Sequence, residues 1–226
     1  MTRLKLKHVA IAIAGLAVMA SAQSQVLLTE GFESVPGLAA GGWLVSNGST
    51  LPVSPGWGQG DSSNFAAQAG TANSFAFTGF AINGAVDGGG NPSGAILSRL
   101  FTPVLALDQD VALSFWTRTV NGSTFPDRLT VSVVTGGITS ELLSINTSLL
   151  KRGYPQRWAD YSVELGGQGA GTTGRFLFEY SIPDAATKGN YIGLDTVSVQ
   201  VVPEPGTWLM MGLGLAGLAM LRRRNA

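Results

Sequence analysis

Cysteine is absent from the 226-residue chain, and its one histidine, His8, lies close to the N-terminus. Without thiols there are no disulfides, no thiolate nucleophiles and no thiolate metal sites. With histidine confined to a leader segment, the body can build neither a Ser-His-Asp nor a Cys-His site, nor a typical zinc site. Catalysis by carboxylates, or by Ser with Lys, stays formally open. Positive charge is also scarce once the ends are set aside. Three of the fourteen basic residues precede Val9 and three follow Leu221, which leaves eight Lys and Arg against thirteen Asp and Glu in residues 23–203, a formal charge of −5. An acidic body is a poor nucleic-acid binder, because neutralising phosphates needs clustered Lys and Arg. The one small basic cluster, Lys151-Arg152 with Arg157, reads as a solvated loop.

What is present at the two ends is address-like. Arg3, Lys5 and Lys7 form a positive n-region, Val9 to Ala20 an apolar h-region, and Ala20-Ser21-Ala22 a small-residue cleavage site. This is the pattern of a secretory signal peptide over residues 1–22, cleaved before Gln23. At the other end, Trp208 to Leu221 holds only apolar residues and glycine, and Arg222-Arg223-Arg224 stops the run. At ~1.5 Å per residue a helix there would reach about 21 Å, short of the ~30 Å hydrocarbon core, so it could span only a thinned bilayer. A buried core helix is the competing reading. Three consecutive arginines and the lack of a polar face argue against it and for a membrane-inserted tail with the arginines cytoplasmic.

Val202-Pro203-Glu204-Pro205, the apolar run and the arginines occur in the order of the PEP-CTERM sorting signal of Gram-negative bacteria, which residues 202–226 resemble. The resemblance implies an exosortase, a membrane transpeptidase, as partner. It also implies transient anchoring in the inner membrane and delivery to the cell surface or the extracellular polymer matrix.

Between the ends, about 180 residues are enough for one domain with a good core. Helical spacing is not sustained anywhere. Short β-type runs separated by Gly, Asn, Ser and Pro appear instead: 26–28, 75–80, 95–101, 111–118, 129–134, 138–145, 158–165, 175–182 and 191–202. In the fourth run Val111, Leu113, Phe115 and Thr117 share one face, and Gly136-Gly137 supplies a turn whose glycines permit φ > 0. The pattern predicts an all-β sandwich over 23–201, jelly-roll-like, with 37–64 and 82–94 as long surface loops. Phe32-Glu33, the following Gly-Trp, Phe101-Thr102-Pro103, Leu113-Ser114-Phe115 and Tyr191 to Val197 also resemble the choice-of-anchor J domain. That resemblance is to cleaved-adhesin and MAM-like jelly rolls, and it implies surface attachment without an established enzymatic activity.

Two carboxylates stand out. Glu33 follows the first strand and Asp195 lies in the last, and those strands commonly pair in a jelly roll. If the two converge they could offer hard oxygen ligands to a structural Ca²⁺. Otherwise each caps a turn or pairs with an arginine such as Arg175. Asp61 and Asp87 read as turn acids. Trp43, Trp57 and Tyr154 could stack on sugar rings if exposed, as a carbohydrate-binding module would require, and otherwise anchor the core. Asn47, Asn121 and Asn146 head glycosylation-type triplets and read as polar turns. No catalytic residue is nominated. The reading is a non-catalytic surface or matrix protein that could touch polysaccharide; a carboxylate-dependent glycosidase or lyase would need two facing acids that the sequence does not pick out.

Overall fold

The structure, a computed structural model, describes residues 24–125, 127–146, 153–186 and 189–203. Twelve strands run in chain order: β1 Val26–Glu30, β2 Leu44–Asn47, β3 Gly58–Gln59, β4 Ala76–Gly79, β5 Ile96–Phe101, β6 Leu105–Ala106, β7 Val111–Thr119, β8 Arg128–Thr135, β9 Ile138–Asn146, β10 Ala159–Leu165, β11 Thr173–Ile182 and β12 Tyr191–Val201. They form two six-stranded antiparallel sheets, ordered β10-β7-β12-β4-β3 with β1 also on β12, and β2-β5-β11-β8-β9 with β6 also on β11. This is the all-β sandwich that the alternating runs predict.

Alternation decides which side chains meet between the sheets. Along β7, Val111, Leu113, Phe115, Thr117 and Thr119 are buried and the residues between them are not. Phe176, Phe178 and Tyr180 of β11 face them from the other sheet, and Phe115 meets Phe178 edge to face at 5.2 Å. Burying a Phe or Leu contributes roughly 1.5–3 kcal/mol each. The dozen large side chains with essentially no exposure are therefore the main source of stability. The Gly136-Gly137 turn forms as expected: both glycines have positive φ, 55° and 79°, and Thr135 pairs with Ile138.

The stretch 37–64 is not a plain loop. A 3-10 turn over Val35–Gly41 and the short strands β2 and β3 fold it against both sheets, with Val35, Leu38, Trp43 and Trp57 buried. Tertiary burial of four apolar side chains outweighs the poor strand propensity of a Gly- and Pro-rich segment. A second apolar cluster lies outside the main core, on the outer face of the β12 sheet. Phe65 stacks on Phe75 at 5.0 Å and meets Trp158 at 5.6 Å, and the Arg118 guanidinium lies 4.3 Å from the Phe65 ring centre. Gly193 makes room for it, since a Cβ there would sit 2.8 Å from Phe65 and 2.9 Å from Trp158.

Candidate functional site

The expected pairing of first and last strands is present, Thr29 opposite Ser198 and Glu30 opposite Val197. Near it lies the turn Ala67–Ser74, which Asp195 holds by hydrogen bonds and toward which Glu33 reaches. After β1 the chain turns sharply through Phe32, at φ 56°, with the Phe32 N–H on Glu30 Oε1 at 2.7 Å. A left-handed non-glycine residue costs about 1–2 kcal/mol. Here it drops the Phe32 ring into the core, edge to face with Trp43 at 5.6 Å, and leaves Glu33 at the rim. A niche of about 270 Å³ opens there, lined by Glu30, Glu33, Ser34, Leu38 and Trp43. The Glu33 carboxylate reaches toward Gly70, where an added Cβ would lie 3.9 Å from Oε1. Burial raises the Glu30 pKa, and repulsion from Glu33 adds to it, against the hydrogen bond from Phe32.

Asp195 does something else. It is fully buried at a β-bulge, where the pairing of β12 with β7 skips between Asp195 and Ser198 and Thr196 adopts φ 50°. Its Oδ2 accepts the N–H groups of Gln68 at 2.7 Å and Ala69 at 3.3 Å, and Oδ1 accepts Thr196 N–H at 2.6 Å. Burial pushes its pKa up even so. The carboxylate thus pins the 67–74 turn to the last strand, and its lone pairs are largely taken by donors. Glu33, by contrast, has no hydrogen bond or ion pair among the described residues. No set of three His, Asp or Glu side chains suited to a metal gathers among the described residues. Arg175 pairs with neither acid; it donates to the carbonyls of Gly42 and Thr102.

The three aromatics proposed for sugar stacking are buried. Trp43, Trp57 and Tyr154 each keep only 2% of their surface. Tyr154 sits inside the sandwich with its hydroxyl on Thr117 Oγ1 at 2.6 Å. None presents a ring face to solvent, so the stacking role is withdrawn for all three: closing the sandwich over large apolar rings wins over leaving them free. A largely apolar cleft of about 500 Å³ does open beside Trp43 and Trp57, walled by Val35, Leu38, Leu44 and Pro55. Asn47 is structural: its amide donates to Ser54 and Ile82 carbonyls, and its oxygen accepts Ser49 N–H.

Sequence reasoning overlooked Asp127. It is fully buried and accepts from the Tyr180 hydroxyl at 2.7 Å, Asn190 N–H at 2.8 Å and the Thr119 hydroxyl at 3.2 Å. Burial raises its pKa against those bonds, and the Tyr180 pKa is raised well above the ordinary value by burial and by the carboxylate. No local motif marks this site, because its partners come from 8 to 63 residues away.

The tail departs from a fixed point. Val201 N–H bonds Gln25 O at 2.8 Å, Val202 N–H bonds Asp110 O at 2.8 Å, and Ser24 Oγ donates to Val201 O at 2.7 Å. Val202 and Pro203 of the expected sorting signal are described; Glu204, Pro205, Arg222, Arg223 and Arg224 lie outside the described residues, as do residues 1–22 and the run 208–221. Among the described residues no helix is long and apolar enough to cross a membrane.

Two antiparallel sheets with the last strand in the interior of one of them define a jelly-roll-type β-sandwich. The same fold occurs in the K1 cleaved adhesin domain of Lys-gingipain from Porphyromonas gingivalis W83, 20% identical, with 80% of this chain and 99% of that chain covered at a TM-score of 0.51. It also occurs in an apo-form cyclase from Fischerella sp., 16% identical, with 82% and 100% covered at 0.51. The K3 cleaved adhesin domain of Lys-gingipain from the same Porphyromonas strain is 20% identical, with 77% and 98% covered at 0.48. A comparison with curated proteins finds no match. Residues 201–224 match the PEP-CTERM protein-sorting motif. The chain is therefore an all-β sandwich that carries a PEP-CTERM sorting motif at its C-terminal end, the mark of a protein exported and sorted to the cell surface.

Proposed function

We propose that this chain is a non-catalytic surface protein whose sandwich is presented outside the cell for adhesion or as part of the extracellular matrix. Its tail serves as a temporary inner-membrane anchor handled by an exosortase-type enzyme. The observation that carries this reading is the junction itself. The sorting motif begins at Val201, the last residue of β12, so a folded domain is joined to a sorting tail with no intervening linker. The test is localisation in a host with the sorting machinery. The full chain is expected at the cell surface, and a chain ending at Pro203 is expected free in the medium; equal distributions of the two would refute the reading.

A structural Ca²⁺ fits Glu33 better than Asp195. Glu33, without a hydrogen bond or ion pair among the described residues, is a hard-oxygen donor next to Glu30, whose pKa is raised first by burial and in smaller part by repulsion from Glu33, which a cation would relieve. Asp195, with its oxygens on backbone N–H groups, would hold the neighbouring turn in place. A bound ion at about 100 times its Kd adds about 2.7 kcal/mol, which Glu33→Gln should abolish. Thermal unfolding with calcium and with chelator reads this directly, and coincident melting curves for the parent protein would remove the ion. Polysaccharide contact is the second reading. With Trp43, Trp57 and Tyr154 buried, the tryptophans left for it among the described residues are the half-buried Trp116 and Trp158 on the outer face of the β12 sheet.

A further inference from the structure

The end of the sandwich from which the tail departs is continuous across both sheets. Val202 bonds Asp110, whose Oδ1 accepts Gly167 N–H at 2.7 Å; Gln168 N–H bonds Leu107 O, and Leu107 N–H bonds Thr172 O. From there Thr173 pairs with Ala106, Gly174 with Thr135, and Thr135 with Ile138 at the tip of the β8–β9 hairpin. Asp108 is exposed on this end and Ile138 is 69% exposed, one of the most exposed large apolar side chains described. An aliphatic side chain this open at a hairpin tip gains free energy when a partner takes its surface out of water.

The sequence says how close that something must be. Only residues 204–207 separate Pro203 from Trp208, where the apolar run starts. Fully extended, the five steps from Pro203 to Trp208 reach about 18 Å. Residues 201 and 202 cannot lengthen the tether, because their N–H groups are held by Gln25 and Asp110. While the run lies in the membrane, any enzyme acting on the residues between must work in a gap narrower than a small domain.

We propose that this end of the sandwich, from the tail exit past Asp108 to Ile138 at the tip of the edge hairpin, is the surface that meets the membrane-embedded sorting enzyme while the tail is processed. The complementary face on the enzyme is apolar with basic character, matching the exposed Ile138 and the exposed acid Asp108. The proposal rests on the tail being a processed sorting signal, as proposed above. It adds that the folded domain takes part in recognition.

The experiment follows the C-terminus of the exported full chain by mass spectrometry in pulse-chase samples from a host with the sorting machinery. Four chains are compared: the parent, the double variant Asp108→Lys/Ile138→Lys, the parent with a twelve-residue Gly/Ser insertion between Pro203 and Glu204, and the double variant with that insertion. Processing of the double variant is expected to slow about tenfold, the effect of losing about 1.4 kcal/mol of contact. With the insertion, the same substitutions should change the rate by less than about twofold. Both positions are exposed, and unchanged thermal melting establishes that the variants fold. A double variant processed at the parent rate overturns the docking surface but leaves sorting intact. A parent chain that is never processed overturns both.

Discussion

Asp127 offers the sharpest test of the interior. In the variant Asp127→Ala, the Tyr180 hydroxyl loses its 2.7 Å acceptor and has only Asn190 O at 3.5 Å left. Asn190 N–H can fall back on Tyr180 Oη at 3.2 Å, and Thr119 on Tyr191 O at 2.9 Å. One buried donor is then left short, which costs about 1–3 kcal/mol, and the vacated volume adds about 1 kcal/mol. The expected loss is about 2–4 kcal/mol. Asp127→Asn keeps an oxygen for Tyr180 and Asn190 and turns its amide toward Thr119, whose hydroxyl still has Tyr191 O, so it should stay within about 1 kcal/mol of the parent at neutral pH. The pH dependence follows from the raised pKa. The folded carboxyl holds its proton at pH values where the unfolded one, with a pKa of ~3.9, has lost it. The native state therefore binds more protons in that window. The group's contribution is fully present below about pH 3.9 and declines as pH rises through the folded value. The parent should gain on Asp127→Asn as pH falls from 7.5 to 4.5, since Asn190, Thr119 and Tyr180 do not titrate there. Urea unfolding followed by tryptophan fluorescence at the two pH values measures the gap. If Asp127→Asn costs as much as Asp127→Ala, or if the gap ignores pH, then the buried carboxylate is a paired anion and the reasoning fails.

The other tests are shorter. Gly193→Ala would press a methyl group against Phe65 and Trp158 at 2.8–2.9 Å; a loss of about 1–3 kcal/mol should lower Tm by roughly 2–10 °C, and an unchanged Tm would mean the ring cluster is loosely packed. Trp43→Ala should cost about 3–5 kcal/mol as a core deletion; loss of polysaccharide binding by a chain of parental stability would contradict its burial. Breaking the partly exposed Arg99–Glu179 pair, 2.7 Å apart, with Glu179→Gln should change the unfolding free energy by less than about 1 kcal/mol. A larger loss would show that the pair is more desolvated than its exposure indicates.

The legible part of this fold is the part written at short range. Alternation over 111–118 marks β7, because a strand that packs one face must repeat every two residues; the alternation over 129–134 marks β8 as well, although that strand is buried on both faces. The Gly136-Gly137 turn is legible for the same local reason. Strands β3 and β6 have two residues each, too few for any period, and β2 lies in a segment whose glycines and prolines mask it. Pairing of the end strands was foreseeable. The bulge that gives Asp195 its N–H partners was not, since it depends on Thr196 accepting a strained φ to suit loop 67–74. Trp43, Trp57 and Asp127 fail for a common reason: composition carries exposure only on average, and what covers each of them comes from distant segments.

The place of β12 has a consequence for secretion. It joins β7 along one side and β1 and β4 along the other, yet of the described strands it is the last to be synthesised and, on the proposed export, would be the last to leave the cytoplasm. Until residue 201 has crossed, the strands made earlier in that sheet lack their common neighbour and their hydrogen-bonding edges stay open. On the proposed route, export would deliver a half-built layer, completed only once β12 has crossed. A translocating chain of this design has no finished domain to drag through the pore.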